Sequence, residues 1–198
     1  MESSSVLLIS GSNRTGSFTT AIAHALDALV PDGLTLVHAD ISDLPLFDQD
    51  LEADPPAAVT RLKEAIRAAD GIIIATPEHN RSIPALLKNA LDWASRPYGD
   101  NAWSGKVMLP IGVTTGRIGA ALAVAHLRQI GLYLGMRVLG QPELYLAGVR
   151  ELIAEDGSIA DSSTRELLAG ALASFGGTIR EARAAAHETG GHAAAALR

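Results

Sequence analysis

Cysteine is missing from all 198 residues. Its absence excludes thiolate nucleophiles, disulfide exchange and sulfur-ligated metal sites together, so redox work here requires a bound organic cofactor. Long apolar runs are missing too. No stretch approaches the roughly 20 residues that cross a bilayer, and the start, MESSSVLLIS, has neither a basic region nor a cleavage-site pattern. A cytoplasmic protein with no membrane partner is expected. The 16 Lys and Arg are outnumbered by 22 Asp and Glu, giving a net charge of -6, and the cations are scattered. Without a basic stripe to neutralise phosphates, no nucleic-acid partner is expected.

What is present is a 47% apolar, 19% charged chain, enough for one well-buried domain. Short β-branched runs alternate with helical patterns, which argues for parallel βαβ units and an α/β fold. Strands are expected at residues 6–10, 34–38, 71–75, 107–113 and 137–139, with 144–147 as a strand extension. Helices are expected at 19–29, 57–69, 83–95, 118–134 and 163–186, and residues 41–56, rich in Pro and Asp, as an irregular connection. The domain is expected to span 1–186. The tail from 187 carries no packing pattern and is expected to be flexible.

Five parallel strands with helices on both faces commonly take the order 2-1-3-4-5, and ligands then bind beyond the strand C-termini at the switch point. Here that point lies between strands one and three. The loops after strands one, three and four, residues 11–19, 76–82 and 114–119, would be neighbours in space.

The first loop, GSNRTGSFTT, offers hydroxyls from Ser12, Ser17, Thr19 and Thr20, the Arg14 guanidinium as a bidentate donor, and backbone N–H groups at a helix N-terminus. Together these make an anion site suited to a phosphate. Gly11 and Gly16 have Walker A spacing, but Ser17 stands where that motif needs Lys, and the G-x-G-x-x-G fingerprint is absent. A terminal monophosphate fits best. The alternative is an ordinary turn in which Ser17 or Thr19 caps the helix. In the second loop Ser82 reads as the N-cap of the next helix, with Pro84 in its first turn. Pro77 fixes the backbone, and the amides and carbonyls around Glu78, His79 and Asn80 match the edge of a pyrimidine-like ring such as that of flavin; a solvated turn reads the same. The third loop places Thr114, Thr115 and Gly116 after strand four, with glycine permitting close approach to a ligand. A plain helix start explains that loop equally well.

GSNRTGSFT followed by PEHNRSIPALLKNALDW resembles the NAD(P)H-dependent FMN reductase family of flavodoxin-like quinone, azo-dye and chromate reductases, and the similarity continues through SRPYGDNAWSGK, VTTGRIGA and HLRQIGLYLG. The resemblance covers about residues 5–180. It implies a three-layer α/β/α fold, FMN as cofactor, NADPH or NADH as co-substrate, and hydride transfer to flavin N5 followed by two-electron reduction of a small-molecule acceptor. It implies that Ser12, Arg14, Ser17 and Thr19 hold the FMN phosphate, residues 77–80 the isoalloxazine, and residues 114–116 the ring or ribityl side. It also implies a homodimer or homotetramer with flavin near the interface. Thr19 stands where the family commonly has Asn, His79 where it has Tyr, and Ala85 where it has Gly. Thr19 keeps a donor, whereas His79 removes a large aromatic surface, so substrate preference is where this chain is expected to differ. Arg81 beside it could favour an anionic acceptor. An electron carrier or redox sensor with little NAD(P)H turnover is the second reading, and a flavin-free nucleotide-binding enzyme the third.

No catalytic acid or base and no metal site is assigned. His24, His38, His126, His187 and His192 lack ligand spacing and read as surface or packing groups. Trp93 reads as core, while Tyr98 and Trp103 are candidates for the acceptor site or an interface.

Overall fold

A computed structural model describes residues 3–195, with side chains through residue 186. Strands β1 (Ser4–Ser10), β2 (Leu34–Ala39), β3 (Gly71–Thr76), β4 (Val107–Val113) and β5 (Arg137–Val138) form a parallel sheet in the order β2-β1-β3-β4-β5. A short strand, β6 (Leu144–Leu146), also pairs with β4. The expected fifth strand is therefore split. β5 pairs Val107 and Met108, Leu139 still donates its N–H to the Met108 carbonyl at 2.8 Å, β6 pairs residues 111–113, and residues 140–143 between them leave the ladder.

Every residue of β3 and β4 is buried, as their continuous apolar sequences require of strands covered on both faces. Alternation along the central strands then sorts the core into two layers. Leu7, Ile9, Ile72 and Ile74 face α2 (Ala57–Ala68), α3 (Ala85–Ala94) and α4 (Ala121–Tyr133). Val6, Leu8, Ile73 and Ala75 face α1 (Phe18–Ala25) and α5 (Ser162–Ala195). The arrangement is the flavodoxin-like three-layer fold.

The expected elements hold, with shifts at their ends. A 3-10 turn, Leu26–Leu29, finishes what reads as one helix in the sequence, and residues 41–56 are irregular apart from the turn Gln49–Leu51. The last helix runs to Ala195 rather than stopping near 186. The expected flexible tail, 187–198, has its side chains outside the described residues, and 196–198 lie outside them entirely. Among the described residues no helix is long and apolar enough to cross a membrane.

Two indoles are locked into the core. Trp93 donates Nε1–H to the Pro45 carbonyl at 2.8 Å, and Trp103 donates to the Leu91 carbonyl at 3.1 Å. Trp103 is completely buried, which corrects the expectation that it lines an acceptor site or interface: its ring and its one donor are both consumed inside the domain. Tyr98 is exposed, with the Arg96 guanidinium 3.7 Å from its ring centroid.

Candidate functional site

The chain leaves β1 through Gly11, whose N–H donates to the Ala75 carbonyl at 2.8 Å. A Cβ at this position would stand 3.3 Å from that carbonyl and 3.5 Å from Pro77 Cδ. Glycine here lets the first loop lie directly against the second. The loop is then pinned from inside: Ser10 Oγ lies 2.9 Å from Thr20 Oγ1, and Thr20 Oγ1 donates to the Ser12 carbonyl at 3.3 Å. Ser17 caps α1, its Oγ accepting from the Thr20 N–H at 3.3 Å. As the first two residues of α1, Phe18 and Thr19 carry N–H groups with no intrahelical acceptor, which is where an anion binds.

Arg14 curls over its own loop and donates to the Thr15 and Gly16 carbonyls at 3.2 and 2.8 Å. Its guanidinium lies 6.0 Å from the Phe18 ring centroid, and that of Arg150 lies 5.4 Å from the same ring. Two cations thus stand beside the helix start, in a chain whose overall charge is negative.

The second loop is a tight hairpin. His79 and Ser82 exchange backbone hydrogen bonds of 3.0 Å in each direction, and Asn80 and Arg81 take φ of 50° and 66° at its tip. Two consecutive positive φ values match a type I′ turn, which suits Asn80 and is unusual for Arg81. The Glu78 carboxylate turns away to another helix. It accepts from the N–H groups of Leu122 and Ala123 at 3.1 and 3.2 Å and pairs with Arg81 at 3.2 Å. Glu78 therefore caps α4 across 44 residues of sequence and gives the crevice its backbone rather than its charge. Ser82 corrects a second expectation: α3 begins at Ala85 behind Pro84, and the Ser82 hydroxyl instead meets His126 Nδ1 at 3.0 Å.

The third loop is stitched to the segment after β6. Thr114 N–H donates to the Leu146 carbonyl, Val149 N–H to the Thr114 carbonyl and Gly148 N–H to the Gly116 carbonyl, at 3.0 to 3.2 Å. These bonds carry Val149 and Arg150 over to the first loop.

The three loops enclose a crevice of about 420 Å³ at the switch point. It brings together Gly11, Ser12, Arg14, Ser17, Thr19, Pro77, Glu78, His79, Thr114 and Thr115. Asn80, Ser82 and Gly116 stay outside its lining: the first is at the hairpin tip, the second faces α4, and the third bonds its N–H to Thr114 Oγ1. The sequence reading missed Asn13, Phe18, the stretch from Pro84 to Leu86, Val113 and Val149. The helix-side residues follow from helix start positions. Val149 had no local signal, because its place depends on β6 pairing with β4.

Comparison with known proteins agrees with this geometry. A family model described as NADPH-dependent FMN reductase matches residues 4–151. A 2-hydroxy-1,4-benzoquinone reductase from a Burkholderia species is 40% identical over 178 residues, covering 90% of this chain and 97% of the relative. An NAD(P)H-dependent FMN reductase from Pseudomonas aeruginosa is 43% identical over 164 residues, covering 82% and 88%. Among solved structures, the flavoenzyme NAD(P)H:(acceptor) oxidoreductase of Paracoccus denitrificans superposes with a TM-score of 0.85 at 40% identity, covering 90% of this chain and 98% of that one. A crevice at the flavodoxin-like switch point, together with a family match across most of the chain, places this protein in the NADPH-dependent FMN reductase family of oxidoreductases.

Proposed function

We propose that the crevice holds FMN and that the chain uses NADH or NADPH to reduce a quinone-like acceptor by a ping-pong mechanism. The observation that carries this reading is the convergence of three loops on one crevice, with anion donors at one end and a rigid backbone wall at the other. The residues fit the cofactor. Its phosphate would meet the N–H groups of Phe18 and Thr19, the hydroxyls of Ser12 and Ser17, and the guanidinium of Arg14. Its ring would lie against Pro77 and the backbone of Glu78 and His79, with Thr114 and Thr115 on the ribityl side.

Bound there, FMN would supply two-electron redox chemistry between the nicotinamide and the acceptor. The protein's part is positional. Gly11 and the Ser10–Thr20 contact hold the phosphate loop still, and the Glu78 cap fixes the second loop to α4. His79 stands exposed on the crevice wall, where it shapes the acceptor's approach. The quinone reductases among the relatives support a quinone; azo compounds, chromate and free flavin belong in the same test.

A homodimer or homotetramer is the proposed assembly. An open groove of about 740 Å³ between α3 and α4 begins beside the second loop at Ser82 and runs to Tyr133 and Leu134. Tyr133 is 85% exposed and Leu132 67%, a cost in apolar exposure that a partner subunit would remove.

Anaerobic mixing of the FMN-loaded protein with each nicotinamide cofactor, then with each acceptor, tests the reaction. Bleaching of the flavin absorbance by NADH or NADPH and its return on adding quinone are expected. Oxidised flavin that persists with both cofactors would instead identify an electron carrier or redox sensor.

A further inference from the structure

We infer that His24, Asp27 and His38 form a binding site for a divalent ion of the zinc class, outside the lining of the cofactor crevice. The three residues come from two elements. His24 is in α1, Asp27 follows one turn later in the 3-10 turn Leu26–Leu29, and His38 is on the edge strand β2, paired in register with Leu8. Their ligand atoms all lie within 4.8 Å of one another. His38 Nε2 stands 3.0 Å from both carboxylate oxygens of Asp27, and His24 Nδ1 stands 4.0 Å from Oδ2. The two imidazoles stack with centroids 4.5 Å apart and planes 20° from parallel.

A zinc ion with bonds of 2.0–2.1 Å in a tetrahedron needs ligand atoms roughly 3.4 Å apart. The observed 3.0 and 4.0 Å lie on either side of that value; because the two rings are stacked nearly parallel, one imidazole must rotate out of the stack for both ring nitrogens to aim at a single ion. A single proton shared between His38 and Asp27 accounts for one of these contacts. It does not use the His24 ring nitrogen, which lies 4.0 Å from the same carboxylate. An ion at the centre uses all three groups. Two imidazoles and one carboxylate suit Zn²⁺, Ni²⁺ or Cu²⁺ and are poor ligands for Mg²⁺ or Ca²⁺. The residues are exposed, leaving a position for water.

The site also has a neighbour. His24 and His38 line a cavity of about 340 Å³ whose other walls include Ser12, Asn13, Thr20 and Asp40, the rear of the phosphate loop. A bound ion would tie the end of α1 to β2 directly behind that loop. The inference is independent of the reaction proposed above, because none of its three residues lines the crevice.

The test is calorimetric titration of untagged, FMN-loaded protein with ZnCl₂, run in parallel on His24→Ala and His38→Ala, with MgCl₂ as the control ion. Loss of an outer-shell partner alone weakens metal sites about 10–100-fold, so each variant should lose at least about tenfold in Zn²⁺ affinity. Retained flavin and an unchanged circular dichroism spectrum would show that the variants are folded. Zn²⁺ should also raise the unfolding temperature of the wild type, and by less in both variants at the same concentration. Absence of Zn²⁺ binding, or unchanged affinity in either variant, overturns the inference.

Discussion

Glu78 illustrates how a residue in a binding loop can be committed elsewhere. Its carboxylate satisfies two N–H groups at the start of α4 and is mostly buried, so Glu78→Ala should cost about 1–2 kcal/mol, the usual cost of losing a helix cap. Urea unfolding of the FMN-free protein measures that cost, and no loss of stability would remove the capping role. His79 has no such commitment through its side chain; its backbone alone closes the hairpin with Ser82. His79→Tyr should therefore redistribute kcat/KM among quinones while leaving the FMN dissociation constant within about threefold, less than 1 kcal/mol. A large loss of FMN affinity with unchanged acceptor preference would contradict its place on the acceptor side. Both residues are conspicuous in the sequence. Which of them is free for chemistry depends on α4, a separate stretch of the chain.

Between elements, the tightest junction lies where β4 meets the third loop. A Cβ on Gly112 would stand 2.3 Å from the Gly119 carbonyl oxygen, and backbone cannot rotate away as a side chain does. Gly112→Ala should destabilise the protein by about 1–3 kcal/mol, the range for overpacking, and lower FMN retention by displacing Thr114 and Thr115. Gly170→Ala is the matched control. Nothing lies within 4 Å of its Cβ position in α5, so removing glycine from a helix interior should stabilise by up to about 1 kcal/mol. Equal effects at the two positions, read by thermal unfolding, would refute the packing difference.

The start of α5 adds a dependence on pH. Asp161 accepts from the Ser163 hydroxyl at 2.6 Å and the Thr164 N–H at 2.7 Å, and these hydrogen bonds, that of Ser163 foremost, lower its pKa from 3.8 to about 2. A folded value below the unfolded one stabilises above about pH 4 and fades as pH falls toward 2. In Asp161→Asn that acid limb should disappear, so the difference in unfolding temperature between the two proteins should narrow across this window. A constant difference would show that the Asp161 charge is not linked to folding. Elements were readable from periodicity, but their ends were not. The sequence places the fifth strand at 137–139 with an extension at 144–147, and both segments pair with β4 but stop at Val138 and Leu146, because hydrogen bonding to β4 decides where a short apolar segment ends.

At the scale of the whole molecule, the α3–α4 groove and the exposed Leu132 and Tyr133 predict self-association. Replacing both with Asp should lower the mass in sedimentation equilibrium by at least half without unfolding the chain, since both residues are exposed on the isolated subunit. A monomeric wild type would refute the assembly. The same surface borders the second loop through Ser82, so acceptor kinetics should change along with the mass.

Composition and pattern alone determined the α/β class, the strand order, and the three loops that meet. Hydrophobic periodicity and βα alternation are local properties, and parallel crossovers leave few topologies open. Absence of cysteine likewise confined any redox chemistry to a bound cofactor, with no structure needed. Tertiary structure decided which polar groups remain available. It committed Glu78 to α4, Ser82 to His126 and Trp103 to the core, and it carried Val149 and Arg150 to the phosphate loop. It also set His24 against His38, which are 14 positions apart and give no sign of pairing in the sequence. The reason is physical: hydrogen bonding and burial are satisfied between elements, so the partner that occupies a side chain lies at a distance along the chain that no local pattern encodes.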